Sequence, residues 1–270
     1  MTWEFANYAV RRLRPRLWPL LWVHFLAGLL AAGGAPSWPR GLLAGAIWSA
    51  LLAGPAVALM EVFSPADDAR PPADRERLGW LALAMLLAGL ALSAVVSWDF
   101  CDVFRLGLLV AALLVAPPLR LGGRPVVGTL LQAIGCGGLT FYAGMVAGAA
   151  DIAGVGAGAS VEFRLAGFVL LFLALRALSM PDLSRPHAPT LPHFYFWAAL
   201  GGAFACLAIG GVVGGEAWNA TLLVIPLGAW VVAGLNSLDR ARGGQFTGPV
   251  ALAGAWLLTD VAVVCAALLR

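Results

Sequence analysis

The sequence is poor in charge and contains no lysine. Only 11% of its 270 residues are charged, whereas 61% are hydrophobic. The mean hydropathy of +0.88 exceeds what a soluble core needs and excludes an ordinary soluble globular domain. A net charge of only +3 gives no reason to expect a nucleic-acid partner, and we predict none. These features indicate an integral membrane protein.

Cysteine is also scarce and is never paired in the sequence. The four cysteines, Cys101, Cys136, Cys206 and Cys265, are scattered singly, mostly within apolar segments. The sequence has no C-x-x-C pair and no histidine at ligand spacing, which excludes a zinc motif or a disulfide framework. We expect the four side chains to act as small buried hydrophobic groups.

Long apolar segments recur along the whole chain. Each is long enough to cross a bilayer of about 30 Å, and none alternates apolar and polar residues as a barrel strand would. The predicted fold class is therefore all-α, a polytopic membrane protein with a single transmembrane domain over residues 1–270. The nine predicted spans are 17–35, 41–63, 79–98, 103–117, 126–149, 163–180, 194–215, 217–236 and 249–269.

Arginine placement predicts the orientation in the membrane. Cytoplasmic loops are enriched in basic residues, and a nine-span chain with a cytoplasmic N-terminus places thirteen of the 17 arginines inside. We therefore expect an integral protein of the bacterial inner membrane, with the N-terminus cytoplasmic and the C-terminus outside. Anionic lipid headgroups account for this asymmetry, so membrane lipid is an expected partner.

Glycines at four-residue spacing predict close helix packing. Small residues at this spacing let two helices approach closely in lipid. The pairs are Gly41/Gly45, Gly144/Gly148 and Gly210/Gly214. They favour a compact bundle and indicate no particular function.

Acidic residues stand at the edges of two apolar segments. Glu61, Asp67 and Asp68 follow the second segment in ALMEVFSPADDAR, and Asp182 follows the sixth. The nine-span topology places both groups on the cytoplasmic face, where we expect the functional site. Asp67 has a second interpretation, because Ser64-Pro65-Ala66-Asp67 has the pattern of a capping box that begins a short helix.

Several basic and polar residues are candidates for binding an anion or another ligand. Arg120 and Arg124 lie beside proline and glycine just before a helix, whose N-terminus favours a phosphate group; ordinary enrichment of arginine on the inner face is the alternative. His24 and Asp260 stand within spans. We expect Asp260 to face the bundle interior, either protonated or paired, with Arg176 as a distant candidate partner. His24 either binds a ligand or hydrogen-bonds a neighbouring helix.

The segment between the fourth and fifth spans resembles a known family. APPLRLGGRPVVGTLLQAIGCG, residues 116–137, is similar to the segment after the fourth helix in UbiA-type intramembrane prenyltransferases. The N-terminal LRPRLWPLLWVHFLAGLLAA resembles that family's first helix. The matching positions of the first segment are Pro117, Pro118, Arg120, Leu121, Pro125 and Gly128. The resemblance implies nine helices around a central cavity, with functional loops at about residues 60–78 and 179–193.

The resemblance also implies a chemistry. Members of the family transfer an isoprenoid chain from a prenyl diphosphate to an acceptor, usually aromatic, and Mg²⁺ neutralises the departing diphosphate. It implies Mg²⁺ as cofactor, with Glu61, Asp68 and Asp182 catalytic and Asp67 as a further metal ligand. The substrate-binding residues expected on this basis are Arg120, Arg124, Arg70, Arg185 and His24.

The acidic motifs of the family are only partly present. Met60, Glu61, Ser64 and Asp68 stand where the first motif has Asn, Asp, Asp and Asp. Ser179, Asp182 and Pro186 stand at the acidic positions of the second motif. Two functions therefore remain open. One is a prenyltransferase, active or impaired, and the other is a non-catalytic relative that binds a prenyl lipid, quinone, carotenoid or pigment, or serves as a subunit of a membrane complex.

Overall fold

The computed structural model describes residues 3–13, 18–32, 37–63, 72–116, 121, 125–149, 159–178, 191–216, 219–241 and 248–269. Within these ranges the chain is helical apart from short turns, and none of the described residues belongs to a strand. The prediction of an all-α protein is therefore confirmed.

Thirteen α-helices and two π-helical segments make up this part of the chain. The first π-helical segment joins α3 to α4 in one continuous helix, and the second joins α7 to α8. The elements are α1 Trp3–Arg12, α2 Trp18–Ala31, α3 Trp38–Ala46, the first π-helical segment Ile47–Ala53, α4 Gly54–Val62, α5 Pro72–Val96, α6 Trp98–Val115, α7 Pro125–Gln132, the second π-helical segment Ala133–Leu139, α8 Thr140–Gly148, α9 Ala159–Leu178, α10 Leu191–Val213, α11 Asn219–Leu222, α12 Val224–Ala241 and α13 Gly248–Leu268.

Proline and serine begin several of these helices. Pro72 and Pro125 are the first residues of α5 and α7, where a missing backbone N–H costs no helical hydrogen bond. Ser97 separates α5 from α6 in extended conformation, and its side chain accepts a hydrogen bond from the Phe100 N–H. This cap explains why α6 begins at Trp98, five residues before the predicted start of the fourth span.

Each of the nine predicted spans overlaps a described helix. Six of these helices, the continuous α3–α4 and α7–α8 units, α5, α10, α11 with α12, and α13, are long and apolar enough to cross a membrane. The others are less clear by composition, because α2 is shorter and α6 and α9 each carry three charged residues. The count of nine membrane spans therefore stays a prediction.

The helices pack in a closed ring. Along the chain, α3–α4 packs against α5, α5 against α6, α6 against the α7–α8 unit, the second π-helical segment against α9, and α9 against α10. The ring continues through α11 and α12 to α13, and α13 packs against α2. α2 closes the ring, because it also packs against α3, and it packs along α8 as well.

The direction of each helix follows from residue contacts with α2. Gly41 lies against Leu29, whereas Gly54 lies against the Trp18 side chain, so α3–α4 runs antiparallel to α2. In contrast, His24 contacts Gly137 and the backbone at Leu29 contacts Gly148, so the α7–α8 unit runs parallel to α2.

The same reasoning applies to the sixth span. Arg176 is a neighbour of Cys136, whereas the Leu165 carbonyl lies near Gly138, so α9 runs antiparallel to the α7–α8 unit. Consequently α4 and α9 both end at the face of the bundle where α2 begins. We call this face the loop end, because α5 and α10 also begin there, and we call the other face the far end.

The amphipathic helix α1 packs at the loop end. Its buried side chains Phe5, Tyr8 and Ala9 contact Ala58 of α4 and Leu78 of α5. Arg11 is exposed, and Arg12 lies over the Tyr8 ring at 5.4 Å.

The far end is closed by glycine packing and by a buried ion pair. A Cβ atom at Gly28 would fall on the Phe141 carbonyl oxygen, and one at Gly144 would fall on the Phe25 carbonyl oxygen. Nearby, Arg164 of α9 binds Glu216 after α10, with side chains 3% and 0% exposed. The expected close packing at Gly144 is thus confirmed. The four cysteines are free; Cys101 is buried as expected, whereas Cys136, Cys206 and Cys265 are only partly buried.

Candidate functional site

The helices that flank the two acidic loops meet at the loop end. Glu61 belongs to the last turn of α4, but its side chain lies outside the described residues. The other predicted ligands and anion-binding residues also lie outside them, and so do the proposed capping residues 64–67. These predicted site residues are Asp67, Asp68, Arg70, Arg120, Arg124, Asp182 and Arg185. Their roles therefore stay predictions.

His24 is the predicted site residue whose side chain the structure describes. It lies in α2 and is 1% exposed. Its Nε2 atom is 2.7 Å from the Gly137 carbonyl oxygen, and its Nδ1 atom is 2.8 Å from Oδ1 of Asp260. Asp260 is also 1% exposed. The two side chains thus join the first helix of the ring, the second π-helical segment and the last helix.

These contacts determine how protons are distributed. A carbonyl oxygen only accepts, so Nε2 of His24 carries a hydrogen and donates it to Gly137. One further proton lies between Nδ1 and Oδ1, on the histidine or on the aspartate. In both arrangements the couple carries no net charge, which is the form that an apolar membrane interior tolerates best.

Gly137, whose carbonyl oxygen accepts the hydrogen bond from His24, belongs to the second π-helical segment. π-helical turns are often found at functional sites, because they change the direction of backbone groups. Gly137 also lies against the backbone of α9, where a Cβ atom would be 2.6 Å from the Phe168 carbonyl oxygen. Any larger residue at this position would push α9 away and move the carbonyl from His24.

Aromatic rings enclose the couple. The His24 ring centroid is 4.5 Å from that of Phe168, 5.1 Å from that of Trp256 and 5.8 Å from that of Phe141. Phe141 and Phe168 are themselves 4.6 Å apart. This enclosure removes water from the couple and strengthens its hydrogen bonds.

The expected partner of Asp260 was wrong. Arg176 was the candidate, but Asp260 pairs with His24, and Arg176 lies near Cys136 instead. The expectation that Asp260 faces the bundle interior is correct. The alternative interpretation of His24, a hydrogen bond to a neighbouring helix, also agrees with its bond to Gly137.

The sequence reasoning missed the connection between the first and last spans. Two titratable side chains within apolar segments are a signal that they meet, because each is costly to bury alone. Gly137 and Trp256 gave no comparable signal, since their roles depend on the π-helical geometry and on the ring closing between α13 and α2.

The described residues do not include a metal cluster. No group of three or more histidine, cysteine, aspartate or glutamate side chains lies close enough together there to hold a metal ion. The His24–Asp260 couple is therefore a polar centre and not a metal site. The carboxylates expected to bind Mg²⁺ belong to the two loops outside the described ranges.

Similarity to solved structures identifies the architecture. No protein-family model and no curated protein matches the chain. A UbiA homolog from Archaeoglobus fulgidus matches with a TM-score of 0.65 and 15% identity, over 96% of this chain and 98% of that one. The same homolog bound to GPP and Mg²⁺ matches with a TM-score of 0.59 at 15% identity, over 97% and 98% of the two chains.

The form bound to DMAPP and Mg²⁺ matches with a TM-score of 0.57 at 16% identity, again over 97% and 98%. The likeness extends over nearly the whole of both chains. Identity of this level reports the fold and not the activity. The chain therefore has the fold of the UbiA-type membrane proteins.

Proposed function

We propose that this protein is a membrane prenyltransferase, which transfers an isoprenoid chain from a prenyl diphosphate to an aromatic or lipid acceptor. The observation that carries the proposal is the common face of the two helix pairs that flank the acidic loops. Both α4–α5 and α9–α10 turn at the loop end of a UbiA-type ring. The proposed active unit is the single domain 1–270, with the loop end and the N-terminus on the cytoplasmic side of a bacterial inner membrane.

The donor chemistry of the loops fits Mg²⁺. Glu61, Asp67, Asp68 and Asp182 offer carboxylate oxygens, which are the ligands that Mg²⁺ prefers. Homologues of this fold bind GPP or DMAPP together with Mg²⁺. We assign Mg²⁺ ligation to these four residues. When bound, the ion neutralises the charge that develops on the departing diphosphate.

Arginine side chains of the protein bind the diphosphate. Arg120, Arg124, Arg70 and Arg185 bind the diphosphate oxygens and orient the prenyl chain toward the interior of the ring. None of the α2 residues from Trp18 to Val23 is fully buried. The prenyl chain lies along these partly buried side chains, which exclude water from the reacting carbon.

Release of pyrophosphate tests the proposal. The purified protein in nanodiscs is incubated with GPP or DMAPP, and release is expected only with Mg²⁺. The variants Asp68→Ala and Asp182→Ala should each lower the rate about 100-fold or more, because each loses a ligand for a charge-stabilising ion. Asp102→Asn, on the exposed surface of α6, is the matched control and should keep the rate. Equal rates in all three variants would contradict the assignment.

A non-catalytic, lipid-binding relative is the second candidate. The observation that favours it is the replacement of acidic positions by Met60, Ser64, Ser179 and Pro186. In that case the protein would show no Mg²⁺-dependent release. It would instead co-purify with a stoichiometric prenyl lipid, quinone, carotenoid or pigment, or with a membrane-complex partner, which native mass spectrometry detects.

A further inference from the structure

The outward face of α6 carries two charged side chains within a helix that crosses the bundle. α5 and the α7–α8 unit both begin at the loop end, so α6 runs between them from the far end to the loop end. Its 18 residues give a length of about 27 Å, close to a hydrocarbon thickness of about 30 Å. Asp102 and Arg105 lie about 6 and 10 Å along this length. Their side chains are 67% and 55% exposed.

These two charges do not serve the packing of their own chain. They bond each other at 2.6 Å on the outside of the ring, whereas the buried side of α6 is formed by apolar residues such as Phe100, Phe104 and Ala111. Arg105 also stands further from a helix end than any other exposed charged side chain of the described residues. Charged side chains at such a depth usually face a protein partner, because lipid solvates them poorly.

The exposed residues around the pair form a stripe along α6. Trp98, Asp102, Arg105, Leu109 and Ala112 are all exposed, and they follow each other at alternating intervals of four and three residues. This spacing is typical of a helix that packs along a parallel neighbour at a small crossing angle. We call these five residues the α6 stripe. It has the spacing of a helix–helix interface, and the described helices of the chain leave it uncovered.

We propose that the α6 stripe is an interface between two copies of this chain. Two copies inserted in the same orientation are related by a twofold axis along the membrane normal, which sets their α6 helices parallel. Arg105 of each copy then reaches Asp102 of the other across one helical turn. The two acids and two bases form a closed ring of alternating charge, and polar contacts of this kind hold helices together in lipid.

The charge pattern is the reason for choosing a second copy as the partner. An acid and a base on one stripe complement themselves under a twofold axis, because each residue meets the opposite charge of its counterpart. Within one chain the pair joins neighbouring turns of a single helix. Its loss therefore changes the association of two copies and hardly the fold of either. The interface lies outside the ring, so it exists whether or not the protein transfers a prenyl group.

Förster transfer between labelled copies measures the association. Copies with a donor or an acceptor fluorophore on the C-terminus are mixed in vesicles of phosphatidylcholine and phosphatidylglycerol at a series of protein-to-lipid ratios. Wild-type transfer should rise to saturation, and unlabelled wild type should compete it away. Asp102→Arg leaves two bases on the stripe, and Arg105→Asp leaves two acids. Each variant alone should associate about 10-fold or more weakly, because like charges then lie side by side.

Complementation distinguishes an interface from a folding defect. Asp102→Arg copies mixed with Arg105→Asp copies should recover the transfer, because the two bases of one copy then meet the two acids of the other. The double variant Asp102→Arg with Arg105→Asp exchanges the two charges within one stripe and should also associate like the wild type. A misfolded chain would recover in neither case.

Glu162→Arg is the matched control. Glu162 is also an exposed acid near the far end, in the first turn of α9, and its reversal should leave the transfer unchanged. Wild-type copies that stay separate at every ratio, equal losses in Glu162→Arg and the two stripe variants, or no recovery in the mixture would each overturn the proposal. Separate copies that co-purify with a different membrane protein would overturn it too, by assigning the stripe to that protein. Pyrophosphate release plays no part in these measurements.

Discussion

The two halves of α2 pack differently, although both belong to one continuous helix. From Trp18 to Val23, toward the loop end, no residue is fully buried. From His24 to Ala31, toward the far end, all but two residues are buried. The α7–α8 unit changes in the same way, since every residue from Thr140 to Gly148 except Tyr142 is buried. In these two helices the residues are therefore more deeply buried toward the far end than toward the loop end.

The difference has a physical origin in the glycines. Toward the far end, Gly28, Gly144 and Gly148 let the backbones of α2 and α8 touch, which leaves no space between them. Toward the loop end, α2 and α7 carry larger side chains such as Leu20, Trp22 and Leu130, of which Leu130 is exposed. The polar His24–Asp260 couple lies where the more and the less buried halves of α2 meet.

The strongest test of this contrast is the buried ion pair of the far end. Arg164→Met leaves Glu216 in the interior without its cation and should cost about 3–5 kcal/mol of unfolding free energy. Arg105→Met is the matched control, because the Arg105–Asp102 pair is 55% and 67% exposed and is worth at most about 1 kcal/mol. Denaturant unfolding in detergent micelles measures both. Similar losses in the two variants would show that the far end is not closed as described.

The second test compares two helical glycines. Gly144→Ala should destabilise the protein by about 1–3 kcal/mol, because the new Cβ atom falls on the Phe25 carbonyl oxygen. Gly79→Ala near the loop end meets only Val62 Cγ1 at 3.7 Å. Its better helix propensity should stabilise the protein by up to about 1 kcal/mol. We expect the thermal midpoint to fall in Gly144→Ala and to rise in Gly79→Ala. Shifts of the same sign in both variants would contradict the difference in packing between the far end and the loop end.

A hydrogen bond between the α3–α4 unit and the α7–α8 unit should make a smaller contribution to stability. Trp48 in the first π-helical segment donates to Thr140 Oγ1 at 3.0 Å, and both side chains are buried. Trp48→Phe should cost about 1 kcal/mol, since the N–H is lost while the ring remains. Trp80→Phe is the control, because Trp80 is 65% exposed, and should change stability by less than about 0.5 kcal/mol. Thermal unfolding followed by circular dichroism detects the difference.

The smallest expected effect lies at the loop end itself. Asp74 stands in the first turn of α5 and is 3.9 Å from Arg77. Asp74→Asn should cost about 0.3–1 kcal/mol, mainly through the helix N-terminus, and less at high salt. Unfolding at two salt concentrations measures this. A loss that does not fall with salt would mean that this end is more deeply buried than the structure indicates.

Much of the fold could be read from the sequence, because lipid imposes simple rules. Continuous apolar segments must be helical, and each of the nine predicted segments overlaps a described helix. Helix boundaries were less predictable. The third segment was expected to begin at residue 79, but α5 begins at Pro72, because its first two turns are polar and project beyond the apolar stretch. Hydropathy alone therefore places the apolar centre of a helix better than its ends.

The site was less predictable. His24 and Asp260 were both recognised as unusual polar residues within spans, but nothing in the sequence relates position 24 to position 260. The two π-helical segments were not anticipated either, since their residues are as apolar as those of an α-helix. The acidic residues of the loops are visible in the sequence, and their roles depend on side chains outside the described ranges.

The sequence by itself determined that this protein is a helical membrane protein, since water-to-lipid transfer depends on composition and length alone. It also determined where polar loops interrupt the apolar segments. Only the tertiary structure decided that the last helix packs against the first, that α4 and α9 finish on one face, and that Asp260 shares a proton with His24. Those outcomes depend on which helices can approach closely, and that is set by the glycines and side chains of two partners at once.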